Sequence, residues 1–161
     1  ELQQIKANHY FGVMVGGNTI LGERTLSGFG LAYSFDASSV IFNVNFDYYF
    51  SSQSLDSELQ ADKMELGSFN LGLMYPMSRK RNTWFLSGGM DYSFVEVYQD
   101  SPDFNPDRTG GVGLLVGGGY LINRNSTVNL RIHSSLYFPT YDMIGGYQPS
   151  IKFGLTTSIA K

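Results

Sequence analysis

Strict alternation of apolar and polar residues restarts about eight times along this chain, and it limits the possible folds more than any other feature. The clearest run is Val40-Ile41-Phe42-Asn43-Val44-Asn45-Phe46-Asp47-Tyr48. Val40, Phe42, Val44, Phe46 and Tyr48 share one side, and Asn43, Asn45 and Asp47 share the other. Period 2 marks a β-strand with one apolar and one polar face. Helical period is weak everywhere, and residues 54–63 offer the single candidate for a short helix.

The alternation predicts strands at about 9–16, 27–36, 39–50, 64–76, 83–95, 111–122, 127–138 and 149–160. Most reach the 9–11 residues that a tilted strand needs to cross a bilayer. Connections alternate in length. Residues 17–26, 51–63, 96–110 and 139–148 read as long polar loops, and 36–38, 77–82 and 123–126 as short turns. An even strand count places both chain ends on the short-turn side. No linker or internal repeat divides the 161 residues, so one domain is expected.

The two faces differ in size as well as polarity. The second, fifth and seventh strands carry Phe29, Leu31, Tyr33, Phe35; Trp84, Leu86, Met90, Tyr92, Phe94; and Val128, Leu130, Ile132, Leu136, Phe138. Their opposite faces carry Gly30, Ala32, Ser34; Ser87, Gly89, Asp91, Ser93; and Asn129, Arg131, His133, Ser135. A strand surface in water normally carries Lys, Glu, Arg and Thr. Gly, Ser and Asn are poor strand formers there. A closed eight-stranded sheet also lacks room inside for four or five large side chains per strand. The reading that fits is large residues outward against lipid and small residues inward. Charged residues make up 16% of the chain, against roughly 25% in ordinary soluble domains. Tyr48, Tyr49, Tyr92, Tyr137 and Phe138 at the long-loop ends, and Tyr75, Trp84 and Tyr120 at the short-turn ends, suit the two membrane interfaces.

On these residues the chain resembles the small eight-stranded outer-membrane barrels of Gram-negative bacteria, of the OmpA transmembrane-domain and OmpX kind. The resemblance implies an all-β, antiparallel, up-and-down transmembrane barrel with short periplasmic turns, longer extracellular loops and both termini periplasmic. The stretch Lys152-Phe153-Gly154-Leu155-Thr156-Thr157-Ser158-Ile159 looks like the C-terminal signal read by the barrel-assembly machinery. Outer-membrane lipid and lipopolysaccharide are the implied surroundings.

Charge narrows the candidate sites. Asp47, Asp91, Arg131 and Lys152 fall on the inward face within the span, two acids against two bases. Burying an unpaired charge costs several kcal/mol. An interior network is therefore expected, with Asn43, Asn45, Asn70, Asn129 and His133 completing its hydrogen bonds. The short turns hold Asp36, Arg79, Lys80, Arg81 and Arg124, while the long loops are acidic, including Asp100, Asp103 and Asp107. That last cluster lacks the spacing and glycine of a calcium loop, so no metal site or cofactor is expected. The absence of cysteine excludes thiolate metal sites and disulfides, and the net charge of −3 gives no reason to expect nucleic acid.

One chemical motif stands out. Lipid A deacylases, which are also outer-membrane barrels, use a His-x-Ser motif on a late strand. His133-Ser134-Ser135 has that spacing, but Leu136 stands where that family has Asn. The leading functional expectation is a non-enzymatic structural or interaction protein that works through loops or barrel wall, as an accessory subunit of an envelope complex or a surface-ligand binder. The alternatives are a narrow channel, a lipid A-modifying enzyme using His133 and Ser135, and a soluble lipocalin-like binder.

Overall fold

An isolated alternating strand leaves backbone N–H and C=O groups unpaired along both edges, and only a closed sheet removes all edges. The computed structural model has that closure. It describes residues 8–20, 24–51, 63–98, 107–124, 126–140 and 148–159. The strands are β1 (Asn8–Ile20), β2 (Arg24–Asp36), β3 (Ile41–Phe50), β4 (Lys63–Pro76), β5 (Thr83–Tyr98), β6 (Asp107–Ile122), β7 (Val128–Pro139) and β8 (Gln148–Ser158). Each pairs antiparallel with the next, and β8 returns to β1.

Register places apolar residues side by side around the outside. Val15 pairs with Phe29, Phe29 with Tyr48, Phe46 with Phe69, Phe69 with Tyr92, and Tyr92 with Val112. The result is a continuous exposed apolar wall, with Trp84 at 65%, Phe29 at 58% and Ile151 at 53% exposure. A wall of this kind matches hydrocarbon and is otherwise an aggregation surface.

Several strands extend further than the alternation predicted. The expected loop at 17–26 is largely hairpin, with Gly17 paired to Ser27 and Ile20 to Arg24. Its outward residues Thr19, Thr25 and Ser27 are polar, so the hydrophobic signal fades there while backbone pairing continues. Likewise β5 runs to Tyr98 and β6 starts at Asp107, inside the expected 96–110 loop. The possible helix at 54–63 lies outside the described residues except for Lys63, which opens β4.

The interior corrects the expectation of small and polar residues throughout. Toward the long-loop end it is filled by Leu26, Tyr49, Met64, Leu66, Val95 and Tyr137. Toward the short-turn end lies a second apolar layer of Ile41, Met74, Phe85 and Leu121. Tyr49 and Tyr137, expected at the interface from their place near strand ends, point inward and are 2% and 4% exposed. Inward glycines on neighbouring strands make the room. A Cβ on Gly28 would stand 2.6 Å from Tyr49 Cδ1, and one on Gly113 would stand 2.3 Å from Tyr137 Cε2.

The same geometry separates two glycines. A Cβ on inward Gly119 would lie 1.9 Å from the Ile132 carbonyl oxygen and 2.8 Å from Phe85 Cζ, whereas one on Gly88 would meet nothing nearer than 3.8 Å. Gly119→Ala should therefore cost about 1–3 kcal/mol through backbone displacement. Gly88→Ala should stay within about 0.5 kcal/mol of the parent. Urea unfolding in detergent micelles, followed by tryptophan fluorescence, measures both.

Candidate functional site

Between the two apolar layers lies a polar one, built from inward positions of β2, β3, β4, β5, β7 and β8. Alternation along β3 aims Asn43, Asn45 and Asp47 inward, and all three are buried. Lys152 of β8 reaches across to place its Nζ 2.5 Å from Asp47 Oδ2. The same ammonium stands 5.9 Å from the centre of the Tyr49 ring.

Arg131 does not join a carboxylate. Its Nη1 donates to Asn43 Oδ1 at 2.7 Å and its Nη2 to Asn45 Oδ1 at 3.4 Å. Met74 Sδ and Met14 Sδ complete its surroundings at 3.4 and 3.2 Å. Two amides then link it to the acid. Asn45 Nδ2 donates to Asn70 Oδ1 at 2.6 Å, and Asn70 Nδ2 donates to Asp47 Oδ2 at 3.1 Å. Each amide accepts on one side and donates on the other, so its dipole bridges cation and anion without direct contact. Asn43 also accepts from Ser34 Oγ at 2.8 Å.

Asp91 is buried beside Asn70 in the β4–β5 register, and its Oδ1 meets no hydrogen-bond donor. No cation of the described residues comes within 4 Å of it. The four inward charges thus form one ion pair, one amide-linked arginine and one aspartate that meets Ser68 and Asn70 but no cation directly. Removing Arg131 would not strand a carboxylate in contact with it.

The short-turn end holds a second buried ion pair, between two residues that the sequence places only in short turns. Arg124 Nε and Nη2 grip Asp36 Oδ2 and Oδ1, both at 2.7 Å, and both side chains are nearly inaccessible. Arg124 Nη2 also donates to the Ser38 carbonyl at 2.6 Å and Nη1 to the Ser78 carbonyl at 3.3 Å. One guanidinium therefore ties the turn after β2, the turn after β4 and its own turn after β6. Asn123 and Ser38 adopt positive φ, 60° and 74°, which aims the chain for this grip. The signal in the sequence was Asp36 at a strand end and Arg124 in a turn, 88 residues apart. Only the closed topology brings them together. A cavity of about 30 Å³, the size of one water, separates this cap from Arg131 and Asn129.

His133 and Ser135 both point inward and are buried, as alternation on β7 requires. Their hydroxyl and imidazole contacts diverge. His133 Nε2 lies 2.9 Å from Ser87 Oγ, while Ser135 Oγ lies 2.7 Å from Ser150 Oγ. The Phe85 ring packs 5.4 Å from the imidazole. A nucleophilic serine needs its base within hydrogen-bond reach and an opening to substrate. The His133–Ser135 pair has neither in this arrangement.

The interface aromatics lie on the outer wall. Tyr75, Trp84, Tyr92 and Phe138 are exposed, Tyr48 and Tyr120 half-buried, and Trp84 meets Tyr120 edge-on at 4.8 Å. Above the apolar belt on the long-loop side, Glu65 pairs with Lys63, and Glu96 with Arg108 and the Tyr98 hydroxyl. The Tyr98 hydrogen bond, with the Arg108 guanidinium, holds the Glu96 carboxyl below the usual glutamate range. Of the acidic loop, Asp100 and Asp103 lie outside the described residues, and Asp107 opens β6 opposite Val97. Among the described residues no group of three or more acids, histidines or cysteines is placed to hold a metal.

Removing one partner of a buried pair leaves the other unpaired. Asp47→Ala and Arg124→Ala should each lower stability by about 3–5 kcal/mol. The double change Asp47→Ala with Lys152→Met should recover most of the first loss. Arg124→Lys should still cost roughly 1.5–3 kcal/mol, because an ammonium cannot span both carboxylate oxygens and two carbonyls. Chemical unfolding in micelles reads all four.

No protein-family model matches this chain, and no curated protein matches it either. Solved structures do. Neisserial surface protein A, NspA, superposes with a TM-score of 0.70 at 11% identity, covering 95% of this chain and 97% of that one. The N-terminal β-barrel domain of Pseudomonas aeruginosa OprF gives 0.60 at 11% identity, covering 94% and 99%. The attachment invasion locus protein of Yersinia pestis, Ail, gives 0.58 at 12% identity, covering 95% and 97%. With strand order, closure and an outward apolar wall all in agreement, the chain has the fold of the small eight-stranded outer-membrane β-barrels.

Proposed function

We propose that this protein is an integral barrel of a bacterial outer membrane, with both termini periplasmic, acting as a non-enzymatic structural or interaction protein. Its partners meet it at the long loops and the outer wall, as a surface ligand, lipopolysaccharide or the other subunits of an envelope assembly. The observation that carries this reading is the order of layers inside the barrel. The polar middle layer is flanked by an apolar layer at each end, and the short-turn end is capped by Arg124 and Asp36. A lumen filled in this way argues against ion conduction and against a catalytic cleft. Of the similar structures, Ail has been solved in a phospholipid bilayer nanodisc and in complex with the heparin analogue sucrose octasulfate. Both support a barrel that sits in lipid and binds at its exposed surface.

The test has two parts. In planar bilayers the purified protein should give no steady conductance, and stable open levels would favour the channel. The chain has no cysteine, so Ser39→Cys introduces a single thiol in a short turn. A membrane-impermeant maleimide should leave that thiol unlabelled in intact cells and label it after lysis. Labelling of intact cells would reverse the orientation. Co-purification from native membranes then identifies the partner.

A further inference from the structure

The short turns differ in charge. Residues 37–40 carry none, and the one charged residue described in residues 123–127, Arg124, is consumed by Asp36. The turn between β4 and β5 carries Arg79, Lys80 and Arg81, all exposed. No described carboxylate lies within 4 Å of any of the three.

This turn is fixed from behind. Arg124 Nη1 holds the Ser78 carbonyl at 3.3 Å, and the Arg124 amide donates to the Arg81 carbonyl at 2.8 Å. Ser78 N donates to Thr83 Oγ1 at 3.1 Å, and Asn123 N to Asn82 Oδ1 at 3.0 Å. The backbone is pinned, and the three cationic side chains project from it. Just along the outer wall stand Tyr75, Met77 and Trp84, each more than half exposed. Trp and Tyr mark the depth of the lipid headgroups. Trp84 is three residues from Arg81, about 10 Å of extended chain and less along the membrane normal. Three unpaired cations therefore stand at the depth of the phosphates, on one side of the barrel.

We propose that the β4–β5 turn is a binding site for anionic phospholipid headgroups in the leaflet that faces the short turns. The proposal rests on the membrane reading above. Its occupant follows from charge complementarity: a cluster of three positive charges over an apolar, aromatic wall fits an anionic headgroup above acyl chains.

The probe is phosphatidylglycerol mixed with phosphatidylcholine in nanodiscs that hold the intact protein, with co-purifying lipid counted by native mass spectrometry. Wild-type protein should retain phosphatidylglycerol preferentially. Lys80→Gln should weaken that preference roughly five-fold, and the triple change Arg79→Gln, Lys80→Gln, Arg81→Gln should abolish it. Arg108→Gln, at the opposite end of the barrel, should leave it intact. Heat-dependent gel migration verifies that each variant is folded, and the single variant carries the test if the triple does not fold. Wild-type enrichment retained in the folded Lys80→Gln and triple variants overturns the proposal. So does an equal loss in Arg108→Gln. Failure of the wild-type protein to enter nanodiscs at all would instead refute the membrane reading.

Discussion

Eight strands closed into a barrel leave an interior only just wide enough for side chains, and the rest of this molecule follows from that shortage of space. Large residues cannot face inward at every level, so most of them face outward and form the exposed apolar wall. Where a large residue does point inward, a glycine on a neighbouring strand makes way, as Gly28 does for Tyr49 and Gly113 for Tyr137. Glycine is usually a weak element of a strand. At these two positions it acts as a volume device.

The same confinement governs the charges. A narrow lumen between apolar layers offers little water, so each ionic group needs partners from the protein itself. Two solutions occur side by side. Lys152 and Asp47 touch, and Arg124 grips Asp36 through two oxygens. Arg131 instead reaches Asp47 through Asn45 and Asn70, with neutral groups accepting from its Nη1 and Nη2. The cap at Arg124 has a second consequence, because it binds three turns together and so fixes the end of the barrel that carries the exposed Arg79-Lys80-Arg81 triplet.

Much of this architecture was legible in one dimension. Val40 to Tyr48 already showed which side chains of β3 face lipid and which face the lumen, and strand count, order and closure followed from repeats of that pattern. Legibility failed in three places for physical reasons. At the hairpin of β1 and β2 the outward residues are polar, so pairing continued where hydrophobic alternation stopped. Tyr49 and Tyr137 sit near strand ends, where an aromatic suits an interface, although they share the parity of Asp47 and Ser135 and therefore point inward. Asp36 and Arg124 looked like turn charges because nothing local indicates that a turn residue folds back under the barrel.

The sequence by itself determined the strand period, the face each residue occupies, the outward apolar wall and the set of inward charges, because side-chain direction in a strand depends only on parity. The tertiary structure alone decided which inward groups meet. Contact across the lumen depends on register and on strands far apart in the chain. Parity places Asp47, Asp91, Arg131 and Lys152 inside, but only the closed register joins Lys152 to Asp47, gives Arg131 two asparagine neighbours and leaves Asp91 without a cation in contact.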